Sequence, residues 1–445
     1  MNKTAIEFYK RDDVLVILTT APTGLGHVRV TRAVKEGLPK IANAEVLGLS
    51  NVKFQMLHRI TSINKKLRAV MEFSQNDPFV EKKFAKIYKK VLRRNTEEVE
   101  NQVLELVKRF RPKPKHVVIV ATHFSLAHQL GKIKKSLSNK LKTQVHLAVI
   151  VTDDSPQLLW AVPGADTIFV PSHETKKILG DYLSGLGEKQ TKFVVNPYPI
   201  SGQLSKKLSD EEWSLRRKQL QPKSKEPLRI MIPISGAAVQ LDYFQDLIVR
   251  LSKLMLVKII VVSRDSKHTR KFLIWCSKQK KVEVVTYTQD FEVVRAYERM
   301  YWREVIGVEV TKPSEQSFKC LHIPRMRGGS ALLFSDPVGR QEDDNVAFMR
   351  RFGLMPSMKE GEILGKYMKN KDESVLRVLH QKARGWRGLM IPPLDGKRAA
   401  ERIFKLRESG ILLRMMAYER RRGNNDVISH KGVQSLWEYL AKELK

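Results

Sequence analysis

Short apolar runs punctuate the chain, each ending at a polar or turn-forming cluster, and helical periodicity fills most of the intervals between them. Residues 14–18, 116–121, 145–151 and 167–171 in the first half, and 228–234, 257–263, 282–287, 308–310 and 331–334 in the second, are mostly apolar and rich in Val and Ile. Runs of this kind predict strands covered by helices on both faces, as in a parallel sheet. In the intervals, residues 27–38, 172–183, 267–280, 291–301, 344–352, 360–369 and 433–444 carry helical patterns. Strands alternating with helices predict the α/β class, with doubly wound parallel sheets.

The pattern also looks duplicated. The strand at 14–18 runs into a glycine-containing turn and a helix, and the strand at 228–234 runs into Ser235-Gly-Ala-Ala238 and another helix. A length of 445 residues suits two cores better than one. We therefore expect an N-terminal Rossmann-like domain over residues 1–200, a charged linker over 201–227, a second Rossmann-like domain over 228–425 and a terminal helix over 426–445. No low-complexity segment or short-period repeat interrupts this plan.

Charge adds a partner to the picture. The chain has 81 Lys and Arg against 47 Asp and Glu, a formal +34, which implies an anionic partner or surface. Much of the local excess lies in residues 51–94, where twelve Lys and Arg face three acidic residues. Within it, Phe54, Leu57, Ile60, Ile63, Leu67, Val70 and Met71 recur at helical spacing, as do Val80, Phe84, Ile87, Tyr88 and Val91. A basic amphipathic surface of this kind suits an anionic membrane, each basic residue near the surface contributing roughly 1 kcal/mol. The competing reading is a solvated face packed on its own domain. Nucleic-acid binding rests on charge alone, since no helix-turn-helix, RRM or zinc pattern accompanies it. Cys276 and Cys320 form no paired motif, so neither a disulfide framework nor a zinc site is expected, and a reducing cytosol fits. The first apolar run is too short for a signal segment or a membrane span, which leaves a soluble or peripheral cytoplasmic protein.

Candidate chemistry gathers where strands end. Gly24 and Gly26 allow close backbone approach at a helix start, and His27 follows them. The third glycine of a dinucleotide fingerprint and the Gly-Lys-Ser/Thr of a P-loop are both missing. His123, Asp153 and Asp154 stand at the ends of the next two long strands, and a carboxylate or imidazole there could serve as general base. Asp153-Asp154 lacks a third ligand, so no metal is expected. In the second half, Val310-Thr-Lys-Pro-Ser-Glu-Gln and Asp336-Pro-Val-Gly-Arg-Gln-Glu-Asp-Asp-Asn345 place two polar loops at the carboxyl ends of neighbouring strands, where open α/β sheets bind ligands.

Five segments in this order resemble the two-domain glycosyltransferases of family 28, which include the diacylglycerol galactosyl- and glucosyltransferases and the peptidoglycan N-acetylglucosaminyltransferase. They are Thr23-Gly-Leu-Gly-His27, the succession from Thr152-Asp-Asp through Pro163-Gly-Ala-Asp166 to Val170-Pro-Ser172, Ser235-Gly-Ala-Ala238, Val310-Thr-Lys-Pro313, and Gly339-Arg-Gln-Glu-Asp-Asp-Asn345. The resemblance covers most of residues 12–355. It implies a GT-B fold, two Rossmann-like domains facing across a cleft, and inverting transfer of a hexose or N-acetylhexosamine from a UDP-sugar to a lipid hydroxyl such as that of diacylglycerol. No cofactor is implied beyond the nucleotide-sugar co-substrate.

On the same resemblance, Gly236, Ala237, Thr311, Lys312, Pro313, Ser314, Glu315, Gln341, Glu342 and Asn345 would hold the donor. Gly24, Gly26, His123 and Asp154 would line the acceptor side, and His27 or Asp153 would be the catalytic base. The chain departs from the family pattern at Ser314-Glu315, at Lys319-Cys320 where an acidic residue is expected, and at Arg340 between Gly339 and Gln341. These departures leave open a non-catalytic relative that binds a nucleotide sugar or glycan.

Overall fold

The computed structural model describes residues 1–21, 24–48, 78–94, 96–188, 190–236, 238–419 and 426–445. The helix expected over 54–71 therefore lies outside the described residues, as do Thr23 and Ala237. The chain divides into two compact units, residues 1–202 with 425–445, and 203–424.

Unit 1 holds a six-stranded parallel sheet of β1 (Val14–Thr19), β2 (Asn43–Leu47), β3 (His116–Ala121), β4 (Gln144–Ile150), β5 (Thr167–Val170) and β6 (Lys192–Val195), in the order β2-β1-β3-β4-β5-β6. Every residue of β1 and of β5 is buried. Burial on both faces is what their unbroken apolar runs required. Unit 2 repeats the plan with β7 (Leu228–Pro233), β8 (Val257–Arg264), β9 (Val282–Tyr287), β10 (Val308–Thr311), β11 (Ala331–Phe334) and β12 (Gly388–Met390), in the order β12-β11-β10-β7-β8-β9. Counted within the unit this is 3-2-1-4-5-6 read from the β9 edge, the order of doubly wound nucleotide folds. Winding reverses between β1 and β3 in unit 1 and between β7 and β10 in unit 2. The expected pair of doubly wound α/β domains is the fold observed.

The Pro163-Gly-Ala-Asp166 segment is a packing joint. Gly164 has φ +88, and a Cβ there would lie 2.3 Å from the Gly131 carbonyl, while one on Gly131 would lie 2.5 Å from the Pro163 carbonyl. Two glycines thus let the helix Phe124–Leu141 lie against this turn. Asp166 then accepts the Leu147 N–H at 2.8 Å and pairs with Lys134 at 2.6 Å.

Three stretches differ from expectation. Residues 203–227 are part of unit 2. They contain the helix Asp210–Gln219, opened by a capping box of Ser209 and Glu212, and residues 204–208 hydrogen-bond along 325–328. Their charge conceals one buried anchor: the Arg216 guanidinium donates to the carbonyls of Ile306, Pro324, Met326 and Arg327 at 2.6–2.9 Å. Burial depresses its pKa to about 9. Next, the terminal helix, Gly432–Glu443, belongs to unit 1, where Trp437 Nε1 donates to the Val34 carbonyl at 2.9 Å and the Trp437 carbonyl accepts the Tyr9 hydroxyl at 3.1 Å. Last, Gln341, Glu342 and Asn345 sit in the first turns of the helix Arg340–Arg351, which begins four residues before the expected 344.

Behind the turn after β10, a charged pair is enclosed. Glu309 on β10 is fully buried, pairs with Lys319, and accepts hydrogen bonds from Tyr297 at 2.6 Å and Tyr301 at 2.5 Å. Nearby, Arg387 donates to the His322, Gly329 and Ser330 carbonyls. The basic stretch at 324–329 is thus held by buried guanidinium groups that donate to its carbonyls. Truncating Arg216 to Met leaves four buried carbonyls short of a donor. We expect a loss on the order of 3 kcal/mol or more in the unfolding of unit 2, read by denaturant titration, with only partial recovery in Arg216→Lys, which lacks the planar fork.

Candidate functional site

In unit 1 the carboxyl ends of β1, β3 and β4 bring His27, Thr122 and Thr152 together. His27 lies in the first turn of the helix Leu25–Glu36, and its Nδ1 lies 2.7 Å from the Thr122 carbonyl and 3.4 Å from Thr152 Oγ1. A carbonyl only accepts, so Nδ1 carries the proton and the neutral ring has its lone pair on Nε2. Thr31, one turn along, bonds both the His27 carbonyl at 2.8 Å and Thr122 Oγ1 at 2.7 Å, which fixes the helix start against β3. The imidazole is half-buried and packs edge-on against His123, 4.9 Å between centroids, with Trp160 at 6.3 Å.

The other expected residues of this unit have varied placements. His123 is buried, caps the helix Phe124–Leu141 by accepting the Ser125 N–H at 3.3 Å, and stacks on Phe124. Asp154 is buried, and its Oδ1 accepts the Ser172 hydroxyl at 2.5 Å and the Thr175 hydroxyl at 2.8 Å, so this carboxylate anchors the start of the helix His173–Ser184. Ser172 itself caps that helix by accepting the Thr175 N–H. Asp153, beside it, is half-buried on the bend after β4. Gly24 caps the helix that carries His27, and Gly26 is half-buried within it.

In unit 2 the loops after β7, β10 and β11 are tied to one another at the winding reversal. Gln240, in the left-handed region at φ 62, donates to the Asp336 carbonyl at 3.1 Å and accepts the Ser335 hydroxyl at 2.8 Å. Asn345, fully buried, donates to the Pro313 carbonyl at 3.1 Å. Lys312 forms an ion pair with Glu342, whose other oxygen accepts the Val338 N–H at 2.8 Å. Glu342 is 5% exposed; burial raises its carboxyl pKa, against the opposing pull of Lys312. Thr311 is buried, whereas Ser314 and Glu315 are half-buried and Gln341 is exposed. Gly236 is half-buried, and its carbonyl lies 3.5 Å from the Arg264 guanidinium. Of the expected donor residues, the structure therefore brings Lys312, Pro313, Glu342 and Asn345 together as a group whose members hold each other.

Two members of this end of the sheet were missed. Gln240 joins two loops 96 positions apart in sequence, a contact that no local pattern signals. Arg264 closes β8 and pairs with Asp290 at 3.0 Å. Its position at a strand's carboxyl end beside the glycine turn was a usable signal.

Of the basic segment 51–94, only 78–94 is described. In the helix Pro78–Leu92, Lys89 is buried, donates to the Ala161 carbonyl at 2.9 Å and lies 4.4 Å above the Tyr182 ring. Burial lowers its pKa to about 7, so this lysine holds the helix to the domain and is removed from the surface charge expected there. Glu81 assists by accepting the Leu158 N–H at 3.0 Å. Lys82, Lys83, Lys86 and Lys90 remain exposed around Ile87 and Val91, which are 66% and 49% exposed.

Among the described residues, no group of three His, Cys, Asp or Glu is arranged to hold a metal, and no helix is long and apolar enough to cross a membrane. Cys276 and Cys320 are both buried as free thiols.

No family model and no curated protein matches the chain. Solved structures that follow a similar course over most of its length include UDP-GlcNAc 2-epimerase from Neisseria meningitidis bound to UDP-GlcNAc (TM-score 0.46, 11% identity, 96% of this chain and 99% of that one). MurG from Acinetobacter baumannii (TM-score 0.44, 10% identity, 97% and 99%) is similar, as is a UDP-glucosyltransferase from Polygonum tinctorium (TM-score 0.46, 13% identity, 96% and 97%).

The buried Asn345–Pro313 bond gives a direct check on this arrangement. Asn345→Ala strands a buried carbonyl, at a cost of about 1–3 kcal/mol. We expect a lower denaturation midpoint together with increased hydrogen exchange at residues 312–316, while exchange around His27 is unchanged.

Proposed function

We propose that the chain is an inverting glycosyltransferase that takes a sugar from a nucleotide diphosphate, in the first instance UDP, and passes it to a lipid hydroxyl at an anionic membrane surface. The observation that carries this reading is the set of three loops joined at the winding reversal of unit 2, with Lys312 on the turn after β10. Doubly wound sheets bind nucleotides at this point, and a cation beside backbone amides suits a leaving diphosphate.

Unit 1 supplies the base. His27 is favoured over Asp153 because the Thr122 carbonyl holds its proton on Nδ1 and leaves the basic lone pair on Nε2. The acceptor oxygen attacks the anomeric carbon as its proton passes to His27, the bond to the diphosphate oxygen breaks, and configuration inverts. The exposed lysines and apolar residues of the helix Pro78–Leu92 support attachment to an anionic lipid surface.

UDP at about 100 times its dissociation constant is expected to stabilise the protein by about 2.7 kcal/mol, read as a thermal shift. Incubation with UDP-sugars and total membrane lipid, read by mass, should yield a glycolipid. His27→Ala should lower that yield roughly 100-fold or more and preserve the UDP shift, whereas Asp153→Asn should have the smaller effect. No shift with any nucleotide would overturn the donor assignment. A UDP-sugar that is bound or altered without any acceptor product would overturn transfer.

A further inference from the structure

Resting on the reading of unit 2 as the donor unit, we propose that donor binding is a partner exchange: the Lys312 ammonium leaves Glu342 for the diphosphate, and Glu342 takes up a proton from solvent. The geometry argues for it in three steps. Lys312 is the cation on the turn after β10, at the winding reversal, and its ammonium is held by Glu342 Oε1. Glu342 is 5% exposed and hydrogen-bonded at its other oxygen to the Val338 N–H, so it cannot follow the lysine outward without breaking the start of its own helix. When the ammonium turns to another anion, a carboxylate remains in a buried site without its ion pair. Buried carboxyl groups in that situation bind protons at or above neutral pH.

The surrounding charges do not replace Lys312. Glu315, on the same turn, raises Glu342 further. On its own helix, Arg340 pairs with Asp344 at 3.5 Å, and Asp343 is an additional negative group, itself raised by burial and by Asp336 on the loop after β11. The helix N-terminus favours the anion by less than the loss of a buried ion pair costs it. Burial already raises the Glu342 pKa with Lys312 in place, so removing Lys312 raises it again. Protonation fits the existing contacts. The proton goes to Oε1, formerly on Lys312, and Oε2 keeps the Val338 N–H.

The sign of the pH effect follows. Where the liganded form holds the proton and the unliganded form does not, affinity falls as pH rises. The test is calorimetric titration of UDP into the full chain at about pH 7.5, in three buffers of different ionisation enthalpy. The terminal phosphate of UDP, with a pKa of about 6, is already ionised there. Wild type should take up a substantial fraction of a proton per UDP, and Glu342→Gln should take up none. Lys312→Gln should also take up none and bind at least about 10-fold more weakly. UDP binding with the same proton exchange in wild type and Glu342→Gln, or with none in wild type, overturns the exchange while leaving the donor site in place. An absence of UDP binding overturns both. Should Glu342→Gln lose its fold, as judged by circular dichroism, wild type alone decides: affinity that stays flat from about pH 7 to 9 refutes the exchange.

Discussion

A parallel sheet cannot turn its chain around within itself, so every strand must be re-entered from the same edge and every connecting loop of one kind collects at the carboxyl end. Where the direction of winding reverses, neighbouring loops diverge to opposite faces and leave room between them. This constraint places the chemistry-bearing residues of both units. In unit 1 it brings the ends of β1, β3 and β4 together, and with them His27, Thr122 and Thr152. In unit 2 it leaves the turns after β7 and β10 at the reversal, and β11 adds a third loop. The side-chain bonds of Gln240, Lys312 and Asn345 then give those loops one arrangement.

The long strands were legible because burial on both faces forces unbroken Val, Ile and Leu runs, which survive without any knowledge of their neighbours. Their ends, where the candidate residues of both units gather, were legible for the same reason. Residues 203–227 were not, because the reading took charge as exposure. Arg216 is as charged as any linker residue, yet a guanidinium with four carbonyl partners can be enclosed. The pairing of Lys312 with Glu342 was equally hidden, spanning 30 positions from the turn after β10 to the helix after β11. Motif spacing identified both residues as donor-side candidates and could not say that they bind each other.

The net charge of +34 also changes meaning once the structure is known. Arg216, Arg387 and Arg407 are buried and donate to backbone carbonyls, and Lys89 and Lys319 are buried against a carbonyl and a carboxylate. These five residues contribute to the formal charge while bracing loops and helices, which subtracts them from any account of an anionic partner. Only a cation with solvent access attracts a distant anion effectively, since a buried one has its field taken up by the dipoles that solvate it. On the helix Pro78–Leu92 the distinction falls within a single element, with Lys89 inside and Lys82, Lys83, Lys86 and Lys90 outside.

On the proposed donor reading, the Lys312–Glu342 ion pair also acts as a filter. The carboxylate of Glu342 already satisfies Lys312, so an incoming anion must offer the ammonium more than one carboxylate does. It must also offset the cost of leaving Glu342 in a buried site. A neutral sugar cannot compete for the lysine at all, and a singly charged group in comparable geometry gains little over the existing partner. A diphosphate brings more than one charge and several oxygens, so it can meet the ammonium while the amides of a neighbouring turn take its remaining oxygens. The cost of breaking the pair is the same for every anion that takes the lysine, so only an anion whose own interactions with the ammonium exceed that cost engages it. The pair thus sets a threshold for engaging Lys312, which a group of several charges and oxygens can cross and a single carboxylate cannot.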